Sequence, residues 1–454
     1  MNTNTSFRRS VLRLAIPVAL QSMLQASFGA VDQIMIGQLG SVSVAGVGLA
    51  GKFSSVASVI VAAVGSAAGI MISQYLGQKN AAAVRRSFFT NLLLALGIAG
   101  LFTALCVLLP GPVMGLYTRD AATARAAADY LAIVSVSFLP MAGATLLSTL
   151  FRCLERPALP LLAGIASAVL NTALNALLIF GKWGLAPMGA RGAAVATAIA
   201  QLANLMLMLL MLRALSRRTP GAGARPERAA IRFDWRAYAA MLLPLLICEV
   251  VWSLGENVYA AIYGHMGTAS SAAMTLLNPI QGIMIGALCG LAQAAGVLVG
   301  KRLGGGDPDG AYLAARRLLA YGAAGAAALS ALIALCSRAY VEIFQVEPAV
   351  KQLTRQVLLA YALVAPFKVL NMILGSGILR SGGKTQYVML IDLVGTWGFG
   401  VPLGLIAAFA LKWPVPRVYF LLSLEECVRF GISMRVFHRK KWMQRLVAPV
   451  AEGT

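Results

Sequence analysis

Ser22, Gln25, Gly29 and Asp32 recur at i, i+3, i+7 and i+10, and the stretch around the carboxylate, "SFGAVDQIMIG" (27–37), is otherwise mostly apolar or small. In a helix that spacing places all four on one face. A carboxylate in the middle of an apolar helix costs about 2.5–3.5 kcal/mol on insertion scales, so such groups normally face a cavity or a partner. Asp32 is therefore a candidate for reversible chemistry, taking up a proton or holding a cation. Two other stretches carry groups of matching type. In "VLNTALNALLIFG", Asn171 and Asn175 lie one helical turn apart and side by side, and "GARGAAVATAIAQ" carries Thr197. Two amides, a hydroxyl and a carboxylate are hard oxygen ligands that suit Na⁺, and they suit a carboxylate that takes up a proton equally well. The structural alternative is an asparagine ladder that only ties helices together.

A second set lies at Glu249, Trp252, Glu256 and Tyr259, continued by Tyr263. Carboxylates beside aromatic faces suit organic cations, through charge and cation–π attraction. The alternative is that Glu249 and Glu256 hydrogen-bond neighbouring helices. Six carboxylates fall inside apolar runs (Asp32, Glu249, Glu256, Asp392, Glu425, Glu426), balanced there by Lys368 and Arg429 alone. That excess of negative sites favours cationic ligands.

The elements that must position these residues are transmembrane helices. The chain of 454 residues is 59% hydrophobic and 12% charged, with a mean hydropathy of +0.78, beyond the apolar share of a soluble domain. Twelve apolar runs, from 11–38 to 414–437, reach the roughly 20 residues needed to cross a hydrocarbon core. The first has no small-residue cleavage site after a short apolar core and is read as a retained helix. The net charge of +22 could suggest nucleic acid, but most of the lysines and arginines fall in loops on the N-terminal side of the membrane, the positive-inside bias of short loops. Both termini are thus expected to be cytoplasmic, and no nucleic acid is expected as a partner. The six cysteines show no paired spacing and no histidine-rich neighbourhood, so no disulfide or metal site is expected.

The chain is also written twice. "PVALQSMLQASFGAVDQIMIGQLG" from Pro17 aligns without a gap to "PLLICEVVWSLGENVYAAIYGHMG" from Pro244, and "SAAGIMISQYLG" (66–77) to "QAAGVLVGKRLG" (293–304) at the same offset; Arg152 corresponds to Arg380 one residue later. Six spans per half make the repeats parallel, an organisation found among transporters. The expected domains are an N-lobe at 1–212, a cytoplasmic linker at 213–237, a C-lobe at 238–440 and a cytoplasmic tail at 441–454.

With these motifs in order, the sequence resembles bacterial members of the multidrug and toxic compound extrusion (MATE) family. The resemblance rests on "VDQIMIGQLG", "SQYLGQ", "LFRCLERP", "NTALNALLIFG", "GARGAAVAT" and "ILRSGGKT". It implies an all-α polytopic membrane protein, with twelve helices in two six-helix lobes forming a V. It also implies antiport of H⁺ or Na⁺ against amphipathic, often cationic compounds by rocker-switch alternating access. Asp32, Asn171, Asn175 and Thr197 match the family's N-lobe ion site, and Pro17 matches a first-helix proline whose kink is proposed to respond to protonation in some members. Gln25, Glu249, Trp252, Glu256 and Tyr259 are the expected substrate cavity. A C-lobe ion site found in some members needs a seventh-helix Glu and a tenth-helix Asp, which fall near Trp252 and Val369, the latter beside Lys368.

The partners expected are small organic molecules and the lipid bilayer of the bacterial cytoplasmic (inner) membrane. The chain is expected to act as a monomer with no cofactor beyond the coupling ion and no ATPase subunit. "GGKT" (382–385) lacks the earlier glycine and the strand of a phosphate loop, and "GGGDPDG" (304–310) reads as a turn. A flippase for a lipid-linked precursor is the alternative within transport. An integral-membrane enzyme would need a catalytic set that two histidines and no second acidic motif do not supply.

Overall fold

The computed structural model describes residues 3–118, 120–181, 186–218, 235–344 and 346–446, and among these all regular structure is helical. The reason is physical: in hydrocarbon no water is available to backbone N–H and C=O groups, so a span must satisfy them within itself. In the first half the long helices are α1 (Thr3–Gly37), α2 (Ser41–Gly77), α3 (Ala81–Leu108), α4 (Ala121–Cys153), α5 (Ala158–Phe180) and α6 (Gly189–Arg218). The second half holds α7 (Trp235–His265), α8 (Thr268–Gly304), α9 (Pro308–Glu342), α10 (Pro348–Leu379) and α11 (Thr385–Ala410). These eleven are long and apolar enough to cross a membrane.

The twelfth span, expected at 414–437, is α12 in two pieces, Val415–Ser423 and Glu425–His438, that meet at Leu424. Two adjacent carboxylates, Glu425 and Glu426, open the second piece. Three stretches of α10 and α11 are π-helical: Ile373–Leu379, Leu393–Gly400 and Ile406–Ala410. Such wide turns are rare and often sit at functional sites. Prolines lie inside α1 (Pro17) and α7 (Pro244) at matching places in the two repeats.

The chain divides into two compact units. One holds the described residues of Leu20–Ile72 and Ala81–Arg232, the other those of Met1–Ala19, Ser73–Asn80 and Phe233–Ala448. The boundary therefore falls within α1 and α2, where the sequence repeat alone would place both helices wholly in the first half. Local packing accounts for it. Phe7 and Val11 of α1 belong to the large apolar core of the second unit, and Arg302 lies over the Phe7 ring at 5.1 Å. At the end of α2, the Gln74 amide donates to the Ser381 carbonyl at 2.7 Å and its carbonyl accepts from Leu446 N at 2.7 Å, while Gln78 donates to the Leu446 carbonyl at 2.7 Å. Most of the expected linker, residues 219–234, and the last part of the tail, 447–454, lie outside the described residues.

Close approach of α2 to α8 depends on glycine. A Cβ on Gly77 would collide with the Lys301 carbonyl, and one on Gly304 with the Gln74 carbonyl. Backbone cannot retreat as a flexible side chain can, so overpacking here costs more than in a soft core. Gly77→Val is expected to destabilise the fold by about 2–3 kcal/mol, read as a lower Tm in detergent. Gly97→Val, at a position where an added Cβ meets nothing within 4 Å, should leave the Tm nearly unchanged; equal effects of the two would refute the close-approach argument.

Candidate functional site

In the first unit, α1, α5 and α6 enclose a cavity of about 250 Å³. Gln21, Gln25 and Asp32 enter it from α1, Asn171 from α5, and Thr197 and Asn204 from α6. The α5–α6 seam is fixed by Ser167, whose hydroxyl donates to the Ala200 carbonyl at 2.7 Å. Asn175, one turn beyond Asn171 and only 1% exposed, donates its amide to Asp32 Oδ1 at 2.7 Å. Thr197 turns its hydroxyl proton to the Ala193 carbonyl at 2.9 Å, which leaves its oxygen an acceptor. Tyr130 of α4 lies against Thr197 and within electrostatic reach of Asp32.

The balance of donors and acceptors is the chemical point. The side-chain oxygens of Asn171, Asn175 and Asn204 are all buried and have no hydrogen-bond partner among the described residues. Each such acceptor left unmet costs about 1–3 kcal/mol. The cavity's lining therefore holds one carboxylate and the amides of Asn171 and Asn204, with Asn175 bonded to that carboxylate, an acceptor-rich environment of the kind a proton or a small hard cation satisfies. The structure thus brings Asp32, Asn171, Asn175 and Thr197 together, and adds Gln25, expected in a substrate cavity, to the same space. Pro17 lies farther back on α1, in the portion that belongs to the other unit. Asn204 and Tyr130 escaped the sequence reading. Asn204 was within reach of it, two turns from Thr197 on the same face of α6, whereas nothing local in the sequence ties Tyr130 to Asp32.

The second unit has its own cavity, of about 320 Å³, between α7, α8, α10 and α12. Glu256 and Tyr259 line it with Lys368, Glu425 and Glu426. Tyr259 donates its hydroxyl to Glu425. The Asn371 amide donates to Glu426 Oε2 at 2.8 Å. Arg429, buried, meets Asp392 at 3.1 Å, Glu426 at 3.7 Å and the Thr396 hydroxyl at 2.9 Å. Glu249 does not line this cavity. It sits two turns, roughly 10 Å, back along α7 and pairs with Arg380 at 3.4 Å. Trp252 is 46% exposed and also lies outside it. The expected set of Gln25, Glu249, Trp252, Glu256 and Tyr259 is thus not one surface. The same helical face runs past several environments, and spacing fixes the face but not the depth. Arg380 also corrects the count of buried charges: left out of the internal cations in the sequence, it is 8% exposed and supplies a third.

The loop motifs have structural roles. Asp307 of "GGGDPDG" caps α9 by accepting from Gly310 N at 2.8 Å, which agrees with the expected turn. Gly382 of "GGKT" lies so close to the Trp442 carbonyl that no Cβ fits.

Two repeats of membrane-spanning helices, each with an internal polar cavity, are an organisation found among transporters. The MatE family profile matches residues 17–177 and again 244–406, two copies at the 227-residue offset seen in the sequence, and the chain belongs to that family. Among curated relatives, the "Probable multidrug resistance protein NorM" of Brucella suis is 28% identical over 421 residues, covering 88% of this chain and 86% of that protein. The protein of the same name from Thermotoga maritima is 22% identical, covering 97% and 94%. A crystal structure of MATE in complex with MaL6 superposes with a TM-score of 0.86 at 16% identity, over 96% of this chain and 97% of that one. A MOP-superfamily transporter from Pyrococcus furiosus gives 0.85 at 16% identity, over 97% of each. The expected twelve-helix fold class is that of these structures.

Arg429 is the group on which the second cavity's charges lean. Arg429→Met leaves Asp392 and Glu426 without their shared counter-ion and is expected to cost about 3–5 kcal/mol, seen as a large loss of Tm and of folded protein in detergent. Adding Asp392→Asn and Glu426→Gln should restore most of it; a single variant as stable as the wild type would show that the pairings contribute little.

Proposed function

We propose that the protein exports amphipathic, often cationic, organic compounds across the bacterial cytoplasmic membrane in exchange for H⁺ or Na⁺, with Asp32 as the ionisable coupling residue. The names of its relatives support multidrug efflux as the activity. The observation that carries the coupling is the cavity in which Asp32 has one amide donor, from Asn175, and faces amide oxygens with none. A proton on Asp32 gives the cavity a donor that reaches one of those oxygens. A Na⁺ gives it a centre that several can share, with Asn171, Asn175 and Thr197 as ligands beside the carboxylate. Either arrival changes the charge of a site in low dielectric, and a site whose occupancy differs between the inward-open and outward-open states biases their populations. Substrate export by a rocker-switch exchange follows if drug and ion favour opposite states. Both termini face the cytoplasm in this reading, as the distribution of lysine and arginine supports. No ATPase subunit or cofactor takes part, and the chain acts as a monomer.

The test is efflux of a fluorescent organic cation from cells or inside-out vesicles with the pH and Na⁺ gradients imposed separately. One gradient is expected to drive transport by the wild type, and Asp32→Asn to abolish it while inserting normally. Undiminished efflux by a well-inserted Asp32→Asn protein would sink the coupling role. Asn171→Ala, which removes an oxygen but no charge, is expected to reduce gradient-driven efflux by about tenfold at limiting ion concentration, with recovery at higher concentration of the same ion.

A further inference from the structure

Away from both cavities, arginines of three helices gather around one phenyl ring. Arg302 of α8 and Arg317 of α9 hold their guanidinium carbons 5.1 and 5.8 Å from the centroid of Phe7 on α1. Arg8 and Arg9 follow Phe7 in the chain and are exposed, as is Arg316 beside Arg317. All of them belong to the second unit. The carboxylates of the nearby α8–α9 turn are already used: Asp307 caps α9, and Asp309 lies 3.7 Å from Lys440. Among the described residues none of these arginines has a carboxylate within ion-pair distance. Arg302 donates to the Gly310 carbonyl at 2.5 Å, a bond that anchors the group without adding negative charge. Attraction to the ring draws two guanidiniums together, and no carboxylate among the described residues offsets their repulsion.

We infer that this cluster binds the headgroup phosphate of an anionic phospholipid. A phosphate accepts from guanidinium forks in the bidentate geometry that arginine favours, and its charge relieves the repulsion among them. That a lipid supplies the phosphate follows from depth. Helices α1 and α9 have 35 residues each, roughly 50 Å of helix against a hydrocarbon core of about 30 Å. Charges are costly in that core, so the opening turns that carry them stand in the headgroup layer, where basic clusters meet anionic lipids. Apolar side chains lead from those turns into the core: Leu12 and Ile16 on α1, 45% and 50% exposed, and the exposed Ala320 on α9. An acyl chain below the headgroup has that surface to lie on. Phe7, 6% exposed, acts as the spacer that fixes Arg302 and Arg317 on one phosphate. The inference goes beyond the efflux reading and rests on it only for the leaflet, which is the cytoplasmic one.

Delipidated full-length protein in detergent, titrated with dioleoyl phosphatidylglycerol or dioleoyl phosphatidylcholine and followed by native mass spectrometry, reports lipid binding directly. The measurement needs neither an ion gradient nor transport, so its failure is distinct from failure of the coupling role. The wild type is expected to bind phosphatidylglycerol about tenfold more tightly than phosphatidylcholine. Arg302→Gln combined with Arg317→Gln should remove most of that preference and leave phosphatidylcholine binding unchanged. Arg213→Gln combined with Arg217→Gln removes the same charge from exposed positions at the end of α6 in the other unit and should keep the preference. If the first pair does not fold, Arg8→Gln combined with Arg316→Gln, at two exposed positions, provides the same comparison with a few-fold loss. Free glycerol phosphate in large excess should leave bound phosphatidylglycerol in place. No preference in the wild type, no loss in either variant pair at the ring, or an equal loss in the α6 pair would overturn the inference. Displacement by glycerol phosphate would overturn it too, by assigning the cluster to a soluble phosphate.

Discussion

In a hydrocarbon layer a polar group has only the protein to turn to, and the interior of this chain is arranged around that constraint. The backbone answers it by forming helices throughout. The side chains answer it case by case. Arg429 collects Asp392, Glu426 and Thr396, Arg380 takes Glu249, and Asn371 and Tyr259 each take a glutamate. Pairs of this kind are weak evidence for net stability, because desolvation offsets much of the attraction, but breaking one leaves a bare charge. Among the described residues some buried groups are left unanswered, the amide oxygens of Asn171, Asn175 and Asn204 in one unit and the hydroxyls of Tyr263 and Tyr361 in the other among them.

The two repeats show how one backbone plan carries two chemistries. At the 227-residue offset Ser22, Gln25, Gly29 and Asp32 become Glu249, Trp252, Glu256 and Tyr259. The place of the Asp32 carboxylate is taken by a phenol whose hydroxyl donates a hydrogen bond to Glu425 of α12. The first cavity is small in charge and rich in amide oxygen. The second holds charges of both signs and phenols.

What was legible in the sequence followed from period and composition. Span number, the repeat, and the joining of Asp32 with Asn171, Asn175 and Thr197 could be read because each rests on helical spacing or on a family motif. What was not legible depends on depth and on neighbours distant in sequence. Glu249 and Glu256 share a face of α7, yet one meets Arg380 and the other a cavity, and no pattern along α7 distinguishes them. Tyr130 reaches Thr197 from another helix, and Arg380 reads as a loop cation until its burial is seen. The split of α12 at Leu424 was hidden because the run is apolar enough to pass as one helix.

The π-helical turn at Ile373–Leu379 bears on how the two halves drifted apart. Between the segment 293–304 and Arg380 the register of the second copy against the first slips from 227 to 228 residues. An α-helix that gains a single residue must either rotate everything beyond it by about 100° or hold the extra residue in a widened i→i+5 turn. The turn directly before Arg380 is of the second kind. The slip in register and the widened turn thus fall in the same stretch of chain, ahead of a buried cation that stays turned inward to Glu249.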